Sequence, residues 1–222
     1  MKLAHFDFEN TFSLQPGRVN VLVVEPEKQF FLYCSELCGQ AAGEPGKFCL
    51  SEGDAELSIA KCCAFIADYF SLQVNDKKFS TKLYRSLQEI AETHFLREYQ
   101  QICTLLAEFF QKLNAESDCP LEYDGEDRLG AILKAFGVRI ASEDTLLQSI
   151  LLYMRASCAF FKTKCFFFMN LKTVLSAEEL TALYHEAALD DMCLFLLENT
   201  QREKLPAEVV TIIDRDLCEI LA

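Results

Sequence analysis

Residues 162–199 constrain the fold more than any other part of the chain. Residues 165–171 are a nearly continuous apolar run, typical of a parallel strand that is covered on both faces. Ser176 and Glu179 then have the spacing of a capping box, which marks the start of a helix. A second apolar run, residues 192–197, follows that helix. Because two parallel strands need a crossover of this length, the pattern predicts an α/β fold with a mostly parallel sheet.

Shorter patterns extend this sheet in both directions. Residues 19–24 and 209–213 are β-branched runs of the buried-strand kind, whereas residues 48–50 predict a short strand at a sheet edge. Residues 60–66 fit either a strand or a helix, and we favour a strand because polar residues bound the run. We expect Ser142 to cap a helix over residues 143–161.

A long helical insertion interrupts the α/β pattern. Residues 79–114 keep a helical apolar period for 36 residues without glycine or proline. A continuous helix of that length would measure ~54 Å, so the segment must project from the core or fold back near Thr93 and His94. A loop over residues 117–127 and a helix over residues 126–136 follow, and we expect residues 138–140 to re-enter the core.

The charge of the chain is strongly negative but unevenly distributed. Twenty-one basic and 34 acidic residues give a net charge of −13, which by itself argues against nucleic acid. Two stretches nevertheless contain bases and no acid, and their members are Lys77, Lys78, Lys82 and Arg85, and Arg155, Lys162, Lys164 and Lys172. Either these bases are an ordinary solvated face, or they form a cationic surface that contacts a DNA backbone without reading its sequence.

The loop over residues 117–127 is the opposite case. Its acids include Glu122, Asp124, Glu126 and Asp127, which offer the hard oxygen ligands that calcium prefers. Their spacing differs from that of an EF-hand loop, because the glycine and the final glutamate are misplaced. Acids at the start of a helix also complement its dipole, so both interpretations remain open.

Several other classes of protein find little support. Neither a phosphate-binding glycine loop nor a nucleophile elbow is present, although the runs LFLLEN and VTIID end in acids as a magnesium-holding strand can. The eleven cysteines contain no C-x-x-C pair and only three histidines accompany them, so we expect reduced, packed thiols rather than zinc ligands. No apolar run approaches ~20 residues and the first residues are polar, which predicts a cytoplasmic protein without a membrane segment.

The order of these elements resembles the short form of the Csn-two family, the ring-forming spacer-acquisition proteins of type II-A CRISPR systems. The similarity covers essentially the whole chain. It rests on four segments, LEYDGEDRLGAILKAFGVRI, KTKCFFFMNLKTVLSAEEL, MCLFLLEN and VVTIIDRDLCEIL.

The resemblance implies an α/β head similar to a P-loop NTPase core without the P-loop, and an inserted extended helical leg. The head would comprise residues 1–74 and 138–222, and the leg residues 75–137. Members of the family are homotetrameric rings that bind double-stranded DNA, favour free ends and carry calcium ions. They are not known as enzymes, and they act with the CRISPR integrase complex and the type II-A effector nuclease.

Carried onto this chain, the resemblance assigns calcium to Glu122, Asp124, Glu126 and Asp127. It makes the following lysines candidates to face DNA: Lys77, Lys78, Lys82, Lys162 and Lys164. Two alternatives from other classes remain, a cytoplasmic protein-interaction scaffold without direct DNA binding and a degenerate nucleotide hydrolase.

Overall fold

The computed structural model describes residues 1–122 and 128–222, and these divide into two compact units. Residues 1–73 and 142–222 form the first, here called the sheet unit, and residues 74–141 form the second, the helical unit. The extended leg of the sequence analysis remains a prediction.

A six-stranded sheet organises the sheet unit. Its strands are β3 (Val19–Val24), β6 (Cys63–Ile66), β7 (Cys165–Met169), β8 (Cys193–Glu198), β9 (Glu208–Ile213) and β10 (Glu219–Leu221). They lie in the order β10-β9-β3-β8-β7-β6, and every neighbouring pair is parallel except β10 with β9. The α/β fold with a mostly parallel sheet is therefore confirmed.

Three long helices accompany this sheet, and the central crossover forms as its sequence indicates. The helices are α1 (Glu27–Ala42), α6 (Leu146–Phe161) and α7 (Ala177–Leu189). Ser176 and Glu179 form the expected capping box at the start of α7. Leu180, Leu183 and Ala187 are buried on one stripe of α7, so this helix contributes to the core.

The central strands are buried on both faces because their sequences are mostly apolar. All six residues of β3 and all six of β8 are buried. Cys63, Cys165 and Cys193 occupy paired positions on β6, β7 and β8, and all three are buried free thiols. Packing as small hydrophobes was expected for these cysteines, but Cys218, which lies in a similar apolar run, is exposed.

A second, four-stranded sheet corrects two of the sequence-based assignments. It contains β1 (Lys2–His5), β2 (Phe12–Ser13), β4 (Phe48–Glu52) and β5 (Ala55–Leu57), in the order β2-β1-β4-β5. The prediction of an edge strand at residues 48–50 was wrong, because β4 pairs with strands on both sides. Residues 60–66, for which we favoured a strand over a helix, contain both, because the short helix α2 (Ile59–Cys62) passes directly into β6.

The helical unit contains α3 (Lys77–His94), α4 (Leu96–Glu116) and α5 (Arg128–Ala135). The long helical period breaks at Phe95, whose φ of −130° and ψ of 31° are not helical, as expected near His94. Gly137 ends the last helix with a φ of +63°, a conformation that glycine adopts without strain.

Residues 138–140 do not re-enter the core as predicted, but belong to the helical unit. The side chain of Asn75 forms two hydrogen bonds of 2.9 Å with the backbone of Ile140. Its Oδ1 accepts from the N–H of Ile140, and its Nδ2 donates to the carbonyl. Tyr84 also donates to the carbonyl of Val138. The helix cap predicted at Ser142 is wrong as well, since Thr145 caps α6 by accepting from the N–H of Gln148.

Candidate nucleic-acid interface

Two of the predicted DNA-facing lysines lie at the amino end of strand β7. Lys162 is the C-cap of α6 in the left-handed conformation, with a φ of 61°, and Lys164 directly precedes β7. Both side chains are exposed. The backbone N–H of Lys164 donates to the carbonyl of Cys62, which fixes this position beside the start of β6. The fold therefore places two exposed cationic side chains at the end of the sheet where β6 and β7 begin.

The partners of these two lysines are weak. Lys164 Nζ lies 3.8 Å from Glu52 Oε2, and both side chains are more than half exposed. Lys162 Nζ donates at 3.4 Å to the carbonyl of Ala159, at the negative end of α6. Exposed pairs of this kind contribute about 0–1 kcal/mol, so both ammonium groups remain accessible to a phosphate.

Lys61 is a third base at this edge that the sequence analysis did not select. It is exposed and lies two residues before β6, whose first residue pairs with the first residue of β7. A signal for it exists in the sequence, because a lysine precedes the apolar run of both strands. Lys61, Lys162 and Lys164 are here called the sheet-unit lysines.

The other predicted group, Lys77, Lys78 and Lys82, lies in the first turns of α3 and is here called the α3 lysines. All three side chains are exposed. Lys78 and Lys82 are one turn apart, a rise of about 6 Å, so they share one side of the helix. Asp76 caps α3 by accepting from the N–H of Phe79 at 2.8 Å. Arg85, the fourth base of this stretch, pairs with Glu89 at 3.1 Å.

Two bases of the second acid-free stretch are engaged within the fold. Arg155 donates to Glu186 at 2.8 Å and to Asp190 at 2.7 Å, and these contacts raise its pKa. Lys172 is buried, with its Nζ 2.9 Å from Glu208 Oε2 and 2.6 Å from the carbonyl of Glu203. The sequence pattern therefore overstates the exposed positive charge of this stretch.

Lys172 belongs to a buried charge cluster with Tyr184, Glu198 and Glu208. Tyr184 OH donates to Glu208 Oε1 at 2.8 Å, and the N–H of Lys172 donates to Glu198 Oε1 at 3.0 Å. Glu198 is 1% exposed, and this burial is the main reason that its pKa rises to about 7. The acid at the end of β8 therefore lies inside the protein.

The acid at the end of β9 and the turn after β3 also have structural partners. Asp214 Oδ1 accepts from the N–H groups of Asp216 and Cys218, so its side chain organises the turn into β10. Only Glu25 and Pro26 connect β3 to α1. A two-residue link of this composition offers no glycine at which a phosphate could approach the backbone.

The predicted calcium ligands fall mostly outside the described residues, since Asp124, Glu126 and Asp127 lie between positions 122 and 128. Glu122 is exposed, and the N–H of Leu121 next to it donates to Asn114 Oδ1 at 2.7 Å. Within residues 1–122 and 128–222, no three His, Cys, Asp or Glu side chains are grouped as metal ligands. The four carboxylates fit calcium by donor type.

Comparisons with known proteins place the chain in a family. The model of the family described as CRISPR-associated protein (Cas_Csn2) matches residues 40–217. No curated protein matches the chain. A solved structure, a putative ABC transporter ATP-binding protein from Pyrococcus furiosus, is 10% identical with a TM-score of 0.42, over 95% of this chain and 97% of that one.

One further property concerns the helices. Among the described residues, none of the helices combines the length and the apolar composition that crossing a membrane requires. Because the family model spans most of the 222 residues, the chain belongs to the Csn-two family and has a CRISPR-associated role.

Proposed function

We propose that this protein is a non-catalytic, calcium-stabilised homotetrameric ring that binds double-stranded DNA ends without reading their sequence. It would act in CRISPR adaptation, the acquisition of new spacers, together with the integrase complex and the type II-A effector nuclease. The proposal rests on one observation. Exposed lysines lie near the starts of β6, β7 and α3, although the net charge of the chain is negative. Membership of the Csn-two family supports the biological context.

The sheet-unit lysines suit a DNA backbone better than a base edge. They are single cationic side chains near the starts of two paired strands, and only Thr163, which cannot stack on a base, separates Lys162 from Lys164. The α3 lysines add positive charge at the positive end of a helix, where phosphate groups bind favourably. Contacts of this kind predict weak, salt-sensitive and sequence-independent binding.

Self-assembly explains how so acidic a chain could bind DNA. A ring can concentrate its lysines on an inner surface and leave the acids outside, and fourfold repetition multiplies each phosphate contact. A surface for assembly exists on α4, which has 21 residues and no buried one. Its most exposed apolar stripe consists of Ile102, Leu105, Phe109 and Leu113, which are 43–65% exposed.

This stripe favours a second copy of the chain as its partner. Its residues recur at spacings of three and four, the pattern of a helix that packs lengthwise against another helix. Single exposed apolar residues are ordinary, but a continuous stripe over three turns is a typical association surface. A symmetric contact would bury the same stripe twice, as in most homo-oligomers.

Calcium is proposed at Glu122, Asp124, Glu126 and Asp127. A divalent ion would offset the repulsion among these carboxylates and would stabilise the loop that precedes α5. Chelation would then loosen the assembly without changing the covalent structure.

The direct test replaces Lys162 and Lys164 with glutamate and measures binding to a short linear duplex in calcium and low salt. The matched control replaces Lys28 and Lys47, which are also exposed in the sheet unit, and so changes the charge equally. We expect the first variant to bind at least tenfold more weakly, since it loses two phosphate contacts per subunit, and the control to bind like the wild type.

Four outcomes would contradict parts of the proposal. Equal loss in both variants would show that net charge alone acts, without a site at Lys162 and Lys164. Equal binding of linear and closed circular DNA of the same length would exclude a preference for ends. If the wild type did not bind DNA, the protein-interaction scaffold would become the better hypothesis. Phosphate release above background would favour a nucleotide hydrolase.

A further inference from the structure

The buried charge cluster has one more acid than base. Its carboxylates are Glu198 and Glu208, which are 1% and 3% exposed, and its ammonium is Lys172, which is 8% exposed. Lys172 Nζ pairs with Glu208, whereas Glu198 accepts only the neutral N–H of Lys172 among the hydrogen bonds of the described residues. With both carboxylates ionised, the cluster would carry an uncompensated charge in the interior, which is costly.

The charged and titratable groups near Glu198 lie on several different elements of the sheet unit. Arg202 on the following loop lowers its pKa, and Glu208 on β9 raises it. Burial is the main reason that the pKa values of Tyr69, Tyr184 and Cys34 are raised, and the nearby charge of Glu198 raises them further. These groups lie on the segment after β6, on α7 and on α1. The surrounding acids and weak acids therefore oppose ionisation, and only Lys172 and Arg202 favour it.

The loop over residues 199–207 is held in place by the same cluster. The carbonyl of Glu203 accepts from Lys172 Nζ at 2.6 Å, and the N–H of Leu205 donates to Glu208 Oε2 at 2.9 Å. Most of the loop is exposed, including Arg202. Its closure therefore depends on Lys172 and Glu208 remaining paired beneath it.

We propose that Glu198 is a proton-sensing group that controls how firmly the loop over residues 199–207 closes over Lys172. With Glu198 protonated, the cluster has no net charge, and Lys172 Nζ donates to Glu208 Oε2 and to the carbonyl of Glu203 in the loop. When Glu198 loses its proton, its carboxylate competes with Glu208 for the ammonium, and opening of the loop admits water to the buried charge. The loop is then closed in mildly acidic solution and looser above neutrality.

The size of the effect follows from proton linkage. The pKa of Glu198 is about 7 with the loop closed, and hydration on opening returns it toward its ordinary value of 4.5. The equilibrium for opening then increases roughly tenfold between pH 6 and pH 8, with most of the change below pH 7.5.

Hydrogen exchange measured by mass spectrometry tests this inference on the intact chain. Protection factors, corrected for the intrinsic pH dependence of exchange, are measured for a peptide covering residues 199–207 in the wild type and in the variants. We expect the loop of the wild type to lose about tenfold in protection from pH 6 to pH 8. Glu198→Gln should remove that change, because its amide stays neutral and still accepts from Lys172.

The control is Glu203→Gln, which changes an exposed carboxyl in the same loop and leaves the Glu203 carbonyl in place. It should keep the dependence of the wild type. A wild-type loop whose corrected protection is constant from pH 6 to pH 8 would overturn the proposal, whether or not the variants fold. So would the same dependence in Glu198→Gln.

Discussion

The sheet unit and the helical unit use similar amounts of apolar sequence in opposite ways. In the sheet unit, β3 and β8 bury all twelve of their residues, and even Lys172 and Glu208 are enclosed and paired. In the helical unit, α4 buries none of its 21 residues, and Phe79 is the one buried residue of α3. The sheet unit therefore completes its core within one chain, whereas the helical unit leaves apolar side chains of α4 exposed.

This difference also separates structural bases from candidate binding bases. Lys172 and Arg155 lie in the same acid-free stretch as Lys162 and Lys164. The first two, however, form close ion pairs with acidic residues of the sheet unit. The accessible bases lie where a helix or strand begins or ends. Substitutions in the two groups should therefore have separable effects on stability and on binding.

The largest effect is expected from Lys172→Met. Removing the ammonium leaves Glu208 and Glu198 buried without a cation, and breaking such a pair costs about 3–5 kcal/mol. Urea unfolding followed by circular dichroism measures this loss. The matched change Lys164→Met affects an exposed, weakly paired side chain and should stay within about 0.5 kcal/mol of the wild type. Equal effects would show that Lys172 is not held as described.

An intermediate effect with a defined pH dependence is expected from Glu198→Gln. Burial raises the pKa of Glu198 from 4.5 to about 7, so the folded state retains a proton that the unfolded state releases. The contribution of this group is complete below pH 4.5 and is lost as the pH rises to about 7. The variant should match the wild type near pH 5 and exceed its unfolding free energy by roughly 2 kcal/mol at pH 8.

Two results would contradict the prediction for Glu198→Gln. An advantage that is the same at pH 5 and pH 8 would mean that the carboxyl does not change its protonation between them. A larger advantage of the variant over the wild type at pH 5 than at pH 8 would give the linkage the opposite sign.

The smallest effect on stability is expected on the exposed stripe of α4. Leu105 is 65% exposed, so Leu105→Gln should change the unfolding free energy of the single chain by about 0.5 kcal/mol or less. The same change places an amide in the proposed interface and should shift the assembly toward smaller species on size exclusion. Gln111→Ser, an exposed position on the opposite side of α4, is the control, and equal dissociation by both would remove the stripe from the interface.

Much of the sheet could be predicted because its signals are local. Apolar runs marked β3, β7, β8 and β9, and the spacing of Ser176 and Glu179 marked the start of α7. The break between α3 and α4 near His94 followed from the length of one helical period. None of these features needs a distant residue to specify it.

Apart from the helix cap placed at Ser142 instead of Thr145, the main errors involve long-range partners. The central position of β4 depends on pairing with β1, more than 40 residues away, and the path of residues 138–140 depends on Asn75. The burial of Lys172 depends on Glu208, which composition cannot associate with it. Among the candidate binding residues, Lys61 was missed because the sequence alone did not show that β6 and β7 begin side by side.

The most direct test of the account is the mass of the wild-type particle in solution with calcium, measured by light scattering at micromolar concentration. Assembly through the helical unit predicts about four times the 25.3 kDa mass of one chain, falling when calcium is chelated. A particle of 25.3 kDa under both conditions would contradict it, because the exposed apolar stripe would then have no second copy to cover it.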